Sequence, residues 1–295
     1  MRYADWGERS ARWAGIRSEL VDVHGTSVHL LRADARPDAP PDAPTQLLIH
    51  PMASGAMFWL DVMRPLTAYG PVVAPDLPGA AFGHTASPHR YAARAQPGAL
   101  FLRAMTSTVG LDHLVVHGWS FGGLVGLLFA DLEPARVQRL VFTDPTLPGP
   151  MSTAARAAWQ TLGRLALLIG PVLVGGLISV LGPALVDTKR KYANQQVSRC
   201  SPELATLIIE QLDQIKSQPR LHSGMIAFAS AVSAMYINRH PAQLAIDRLA
   251  VPTLLLWGDQ DPLIEQAVID HLIARRPDWD LHTFQTVGHL PPWEV

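Results

Sequence analysis

Leu114-Val115-Val116-His117-Gly118-Trp119-Ser120-Phe121-Gly122-Gly123 is the stretch from which the rest of the chain can be read. A short apolar run ends in Gly-x-Ser-x-Gly, and Leu124, Leu127, Leu128 and Leu132 follow at helical spacing. The pentapeptide therefore sits where a strand turns into a helix, which makes Ser120 a candidate nucleophile. Glycines at 118 and 122 carry no Cβ, so strand and helix can approach closely and hold the serine on a strained turn. The same five residues also occur in loops where serine merely caps a helix. Here the strand before and the helix after favour the nucleophile, whose hydroxyl still needs a base to accept its proton at neutral pH.

Partners for Ser120 lie near the C-terminus. Thr253-Leu254-Leu255-Leu256-Trp257 reads as a strand leading into Gly258-Asp259-Gln260-Asp261-Pro262, which puts an acid at a strand's carboxyl end. A second strand around Leu281 to Gln285 is followed by Val287-Gly288-His289. The chain order Ser, Asp, His lets three loop tips converge above one sheet. In that arrangement His289 takes the Ser120 proton, while an aspartate fixes the imidazole's tautomer and stabilises its cation. An acyl-enzyme forms and water hydrolyses it. Three aspartates compete for the acid role: Asp261, Asp259 on the same turn, and Asp144 after the strand Val137 to Thr143. Asp259 is read as shaping the turn by side-chain-to-backbone hydrogen bonding.

Seven strand candidates alternate with helical stretches: Val28 to Arg32, Gln46 to Ile49, Val72 to Ala74, His113 to Val116, Val137 to Phe142, Thr253 to Trp257 and Leu281 to Gln285. That alternation predicts an α/β protein with a mainly parallel sheet covered on both faces. Between Pro145 and about Pro241 the strand rhythm stops and helical patterns take over. Leu165 to Val186 is a run of 22 residues without charge, long enough by itself for a membrane span. Gly170-Pro171, Gly175-Gly176 and Gly182-Pro183 divide it, and its flanks must pair in one sheet. Two short buried helices, forming a greasy lid over an apolar pocket, are therefore expected instead of a span. Weak membrane contact by that lid is a lesser expectation.

Five segments in this order resemble the α/β-hydrolase superfamily, in its branch of serine esterase-like enzymes with a helical cap. They are His50-Pro51-Met52, Asp76-Leu77-Pro78-Gly79, Gly118 to Gly123, Trp257 to Pro262, and Gly288-His289-Leu290-Pro291. The resemblance spans nearly the whole chain. It implies an eight-stranded sheet, with core over 1–148 and 242–295 and an inserted cap over 149–241. It also implies a final helix after His289, of which only Leu290 to Val295 reads as the start. The family's nucleophile falls on Ser120 and its base on His289. Its Gly-x-x-Asp acid falls on Asp261, which ranks ahead of Asp144. The oxyanion hole falls on the backbone N–H groups of Phe121 and Met52. Pro51 stands where the family usually has glycine, but the hole uses the residue after it. Trp119, Met57, Phe58, Leu173 and Leu177 are the candidate pocket residues.

With a serine nucleophile, epoxide hydrolysis and dehalogenation are disfavoured, because those relatives use aspartate there. The leading expectation is a carboxylesterase acting on an apolar ester, thioester or lactone, with water as co-substrate. The alternatives are a C–C bond hydrolase of aromatic or ketone degradation, or a receptor-like or tailoring protein that keeps the triad. A chain of 295 residues, 48% hydrophobic and of net charge −1, has little to offer nucleic acid. Its one cysteine sets up no disulfide framework, and its histidines show no zinc-like spacing, so neither metal nor cofactor is expected. The N-terminus lacks an apolar leader core, so a cytoplasmic location is expected.

Overall fold

The computed structural model describes residues 4–52, 54–80, 83–85, 94–163, 199–216, 231 and 234–295. Leu173, Leu177 and the apolar run 165–186 lie outside the described residues. The strands are β1 (Arg17–Val23), β2 (Thr26–Ala33), β3 (Thr45–Ile49), β4 (Val72–Pro75), β5 (Leu114–Trp119), β6 (Val137–Thr143), β7 (Thr253–Gly258) and β8 (Asp280–Phe284). The helices are α1 (Leu60–Leu66), α2 (Ala95–Thr108), α3 (Phe121–Leu132), α4 (Thr153–Ala158), α5 (Pro202–Lys216), α6 (His240–Arg248), α7 (Gln266–Arg275) and α8 (Pro291–Glu294).

All eight strands form one sheet in the order β1-β2-β4-β3-β5-β6-β7-β8. β1 pairs antiparallel with β2, and β2 with β4; every other pair is parallel. The seven strands predicted from sequence are present, with ends shifted by at most three residues. β1 was not predicted. Its residues Arg-Ser-Glu-Leu-Val-Asp-Val bury only Val23 fully, as an edge strand can, so it lacks the apolar run that marks the central strands.

Alternation along the central strands divides the core in two. Leu47 and Ile49, Val73, and Leu114 and Val116 face one layer with Phe101 and Met105 of α2, Leu124, Leu127 and Phe129 of α3, Ile246 of α6 and Leu272 of α7. Leu48, Val72, Ala74 and Trp119 face the other, with Trp6, Trp13, Met63 of α1 and Trp293 of α8. Each fully buried Leu or Phe contributes about 1.5–3 kcal/mol by leaving water. α5, which lies in the segment read as cap, packs Leu204, Leu207, Ile208 and Leu212 into this second layer. Arg9 pairs with Glu210, and Ser201 donates to Asp61 of α1, so polar contacts hold α5 to the same face.

Candidate active site

The turn between β5 and α3 is built by close approach. Ser120 has φ 53° and ψ −118°, a left-handed conformation that non-glycine residues adopt only when their surroundings enforce it. A Cβ on Gly118 would lie 2.6 Å from Gly122 O, and one on Gly122 would collide with the carbonyls of Ile49 and His50. Backbone bonds fix the turn further: Ser120 N–H donates to Thr143 O at 2.9 Å, and Ser120 O accepts from Gly123 and Thr146. The start of α3 is thereby pressed against the loop after β3.

Ser120 Oγ lies 3.0 Å from His289 Nε2, and His289 Nδ1 lies 2.7 Å from Asp261 Oδ2. All three residues are buried. The other Asp261 oxygen accepts from the backbone N–H groups of Leu263 and Ile264, at 2.7 and 3.0 Å, which fixes the carboxylate's orientation. Since Nδ1 faces that carboxylate, it carries the imidazole proton and leaves Nε2 to accept from Ser120. The three side chains singled out from sequence thus form one hydrogen-bonded relay.

Asp144 also reaches this relay, its carboxylate lying within 4.8 Å of the ligand atoms of Asp261 and His289. One oxygen accepts from Gly258 N–H at 3.0 Å, and the other has no partner among the described residues. Burial, assisted by the charges of Asp261 and Glu294, pushes its pKa up to about 8, so at neutral pH it is a neutral acid. Asp259 instead accepts from Thr286 N–H and braces the turn.

The loop bearing Met52 is tightly tied. Pro51 O accepts from His50 Nδ1 and Ser54 Oγ, while His50 Nε2 accepts from Leu77 N–H, so the ring is neutral with its proton on Nδ1. Burial lowers the pKa of His50, in keeping with that state. Neither Phe121 nor Met52 backbone N–H has a hydrogen-bond acceptor among the described residues. Beneath the loop, Asp76 accepts from Ala56 N–H and His84 N–H and pairs with His29 Nδ1 at 2.7 Å. Burial alone would raise the Asp76 carboxyl, but the bonds from His29 and His84 outweigh it and hold it below the ordinary range. The sequence spacing gave no hint that His29, Asp76 and His84 meet.

A cavity of about 480 Å³ opens beside the serine, lined by Phe121, Leu124, Thr146, Leu147, Ile264 and Val268 among others. Arg94, Arg239 and Glu265 also line it. Burial and then the nearby Arg156 charge hold the Arg239 guanidinium below its usual pKa, and no carboxylate pairs with Arg239 among the described residues. Trp119, Met57 and Phe58 do not line this cavity. Strand alternation turns Trp119 to the opposite face of the sheet, where it packs edge-on against Trp59 and Trp293, and Met57 and Phe58 join the same layer. From there Trp119 Nε1 donates to His289 O at 3.0 Å, holding that residue from behind.

Two contributors escaped the sequence reading. Thr146 Oγ1 lies 3.2 Å from Ser120 Oγ. Glu294, with its side chain 1% exposed and paired to Arg199, accepts from the N–H groups of Gly288 and Leu290 on either side of His289. Neither belongs to a recognisable motif; the nearest signal was an acid five residues beyond the histidine.

A family model described as alpha/beta hydrolase fold matches residues 47–294. A 2-hydroxy-6-oxononadienedioate/2-hydroxy-6-oxononatrienedioate hydrolase of Cupriavidus pinatubonensis is 26% identical over 259 residues, covering 85% of this chain and 82% of the relative. A similarly named hydrolase of Dechloromonas aromatica is 25% identical over 254 residues, with the same coverage. Among solved structures, a lipase-like protein of Acinetobacter baumannii superposes with TM-score 0.67 at 21% identity, covering 98% of this chain and 89% of its own, a likeness of fold. No helix among the described residues is long and apolar enough to cross a membrane.

Proposed function

Because the chain belongs to the alpha/beta hydrolase fold family, we propose that Ser120 is its nucleophile, His289 its general base and Asp261 the acid that orients the base. The observation that carries this reading is the unbroken relay from Ser120 Oγ through His289 to Asp261, at 3.0 and 2.7 Å. Ser120 Oγ attacks a carbonyl carbon as its proton passes to His289 Nε2. The N–H groups of Phe121 and Met52 receive the developing oxyanion. Collapse of the tetrahedral intermediate expels a leaving group, which takes the proton from His289. Water, deprotonated by the same imidazole, then releases the acid from the acyl-enzyme.

For the substrate we propose a ketone cleaved at a carbon–carbon bond and carrying a carboxylate, ahead of a simple ester. The compounds in the relatives' names bear a ketone flanked by carbon and contain no ester, so hydrolysing them at the ketone breaks a carbon–carbon bond. Within this chain, Arg239 in the cavity wall offers a partner for a carboxylate, whose binding would relieve its proximity to Arg156. In this case the dienol first tautomerises, its hydroxyl proton moving to the carbon beside the 6-oxo group; the electron pair of the broken bond then passes into the 2-oxo fragment as a dienolate, whose oxygen takes the proton from His289. The rest of the lining is mainly apolar and suits the carbon chain.

The test compares 2-hydroxy-6-oxononadienedioate with a p-nitrophenyl ester series from acetate to long acyl chains, using the wild type and Ser120→Ala. Loss of the dienol chromophore at a higher kcat/KM than any ester, abolished in Ser120→Ala, is expected. Faster cleavage of an ester would return the substrate reading to carboxylesterase. Turnover of neither, with Ser120 still labelled by a fluorophosphonate, would favour the receptor-like alternative.

A further inference from the structure

Ser120 Oγ has two side-chain hydrogen-bond partners among the described residues, His289 Nε2 at 3.0 Å and Thr146 Oγ1 at 3.2 Å. The steps proposed above leave the second without a task. Thr146 follows β6, and its N–H donates to Ser120 O at 3.0 Å, so its backbone is fixed to the turn that carries the serine. Its half-buried side chain also lines the cavity, alongside Phe121 and Leu147. Thr146 therefore stands where the nucleophile meets the space a substrate occupies.

The direction of this hydrogen bond follows from the relay. His289 keeps its proton on Nδ1, facing Asp261, so its bare Nε2 takes the one hydrogen that Ser120 possesses. Only lone pairs of Oγ then remain for Thr146, which makes the Thr146 hydroxyl the donor. A hydrogen bond to an oxygen gaining negative charge is stronger than one to a neutral hydroxyl.

We propose that Thr146 is a further catalytic residue, whose hydroxyl donates to the Ser120 oxygen while that oxygen carries negative charge, as it attacks and again as it leaves the acyl-enzyme. The role rests on the reading of Ser120 as nucleophile. No proton is transferred by Thr146: the Ser120 proton passes to His289 and returns from it, and the threonine keeps its own. Within the acyl-enzyme Oγ is an ester oxygen and a weak acceptor, so the Thr146 hydroxyl becomes available to the water that enters the cavity. Because the bond is stronger in both transition states than at rest, it lowers both barriers instead of merely tightening the resting site.

The experiment measures the second-order rate of fluorophosphonate labelling at Ser120 in the wild type, Thr146→Val, Thr146→Ser and Thr146→Ala, with melting temperatures alongside. Steady-state kcat and KM are taken on whichever substrate the wild type turns over. Removing a hydrogen bond to a charged group in Thr146→Val should slow labelling by about 10-fold to 100-fold. KM should stay within about twofold, and Thr146→Ser should recover most of the rate. Labelling of Thr146→Val at the wild-type rate would overturn the proposal. So would a Thr146→Ser variant as slow as Thr146→Val, since that assigns the loss to packing of the methyl group. Should Thr146→Val fail to fold, Thr146→Ala against Thr146→Ser decides by the same comparison. A wild type that takes no label at Ser120 would instead remove the nucleophile reading on which this role depends.

Discussion

Two aspartates lie beside one imidazole, and their surroundings separate their behaviour. Asp261 directs one oxygen to His289 and the other to two backbone N–H groups, whereas among the described residues Asp144 has a single donor, Gly258 N–H, and a buried oxygen with none. The rise of Asp144 to about 8 has a consequence for stability. Between the ordinary value of 3.8 and about 8, the folded state keeps a proton that the unfolded state has lost, so stability falls as pH rises through that window. The slope from this one group is at most about 1.4 kcal/mol per pH unit. Asp144→Asn removes it, and its melting temperature should exceed the wild type's at pH 8 by a margin that shrinks toward pH 5. The variant should keep most activity, while Asp261→Asn loses most; equal losses would make Asp144 the acid. At this scale Ser120, His289 and Asp261 were legible, because strand-end motifs announce them. Thr146 and Glu294 were not, because only tertiary approach gives an ordinary threonine or glutamate a task.

Elements meet here through glycine, and two positions one turn apart on the same face of α3 show where that matters. A methyl group on Gly122 would enter the carbonyls of Ile49 and His50, which belong to backbone and cannot rotate away. On Gly126, one turn later, it would meet the side-chain tips of Ile49 and Val116 at 3.3 Å, which can shift. Gly122→Ala should therefore cost about 1–3 kcal/mol through overpacking. It should also slow labelling of Ser120, because the turn is pushed away from the loop bearing Met52. Gly126→Ala should stay within about 1 kcal/mol of wild type, since alanine's helix propensity offsets the tighter fit. Melting temperatures and labelling rates of the pair decide this, and equal damage from both would contradict the assignment of the close contact. The strand pattern showed where these elements lie, but not that Trp119 turns away from the cavity. In such a run both faces of a central strand are apolar, so the parity that sets a side chain's face cannot be read from hydrophobicity.

Across the whole molecule, one sheet carries the three relay residues on separate strand ends, with Ser120 after β5, Asp261 after β7 and His289 after β8. The positions of most strands and the mainly parallel pairing were legible because parallel strands buried on both faces are continuous apolar runs. The placement of α5 was not, since an amphipathic helix does not state which surface it covers. Packing among Trp13, Met63 and Trp293 gives α5 a structural part on the sheet face. Leu207→Ala should thus lower stability by about 2–5 kcal/mol while leaving KM unchanged, as calorimetry and kinetics on the same preparation can show. A changed KM at unchanged stability would place α5 at the substrate.

Activation of Ser120 through His289 is tested most directly by fluorophosphonate labelling of the intact protein, located by peptide mass mapping. One adduct is expected, on the peptide containing Ser120, absent in Ser120→Ala and slowed by orders of magnitude in His289→Gln. An adduct on another residue, or labelling of His289→Gln at the wild-type rate, would contradict a serine activated through His289.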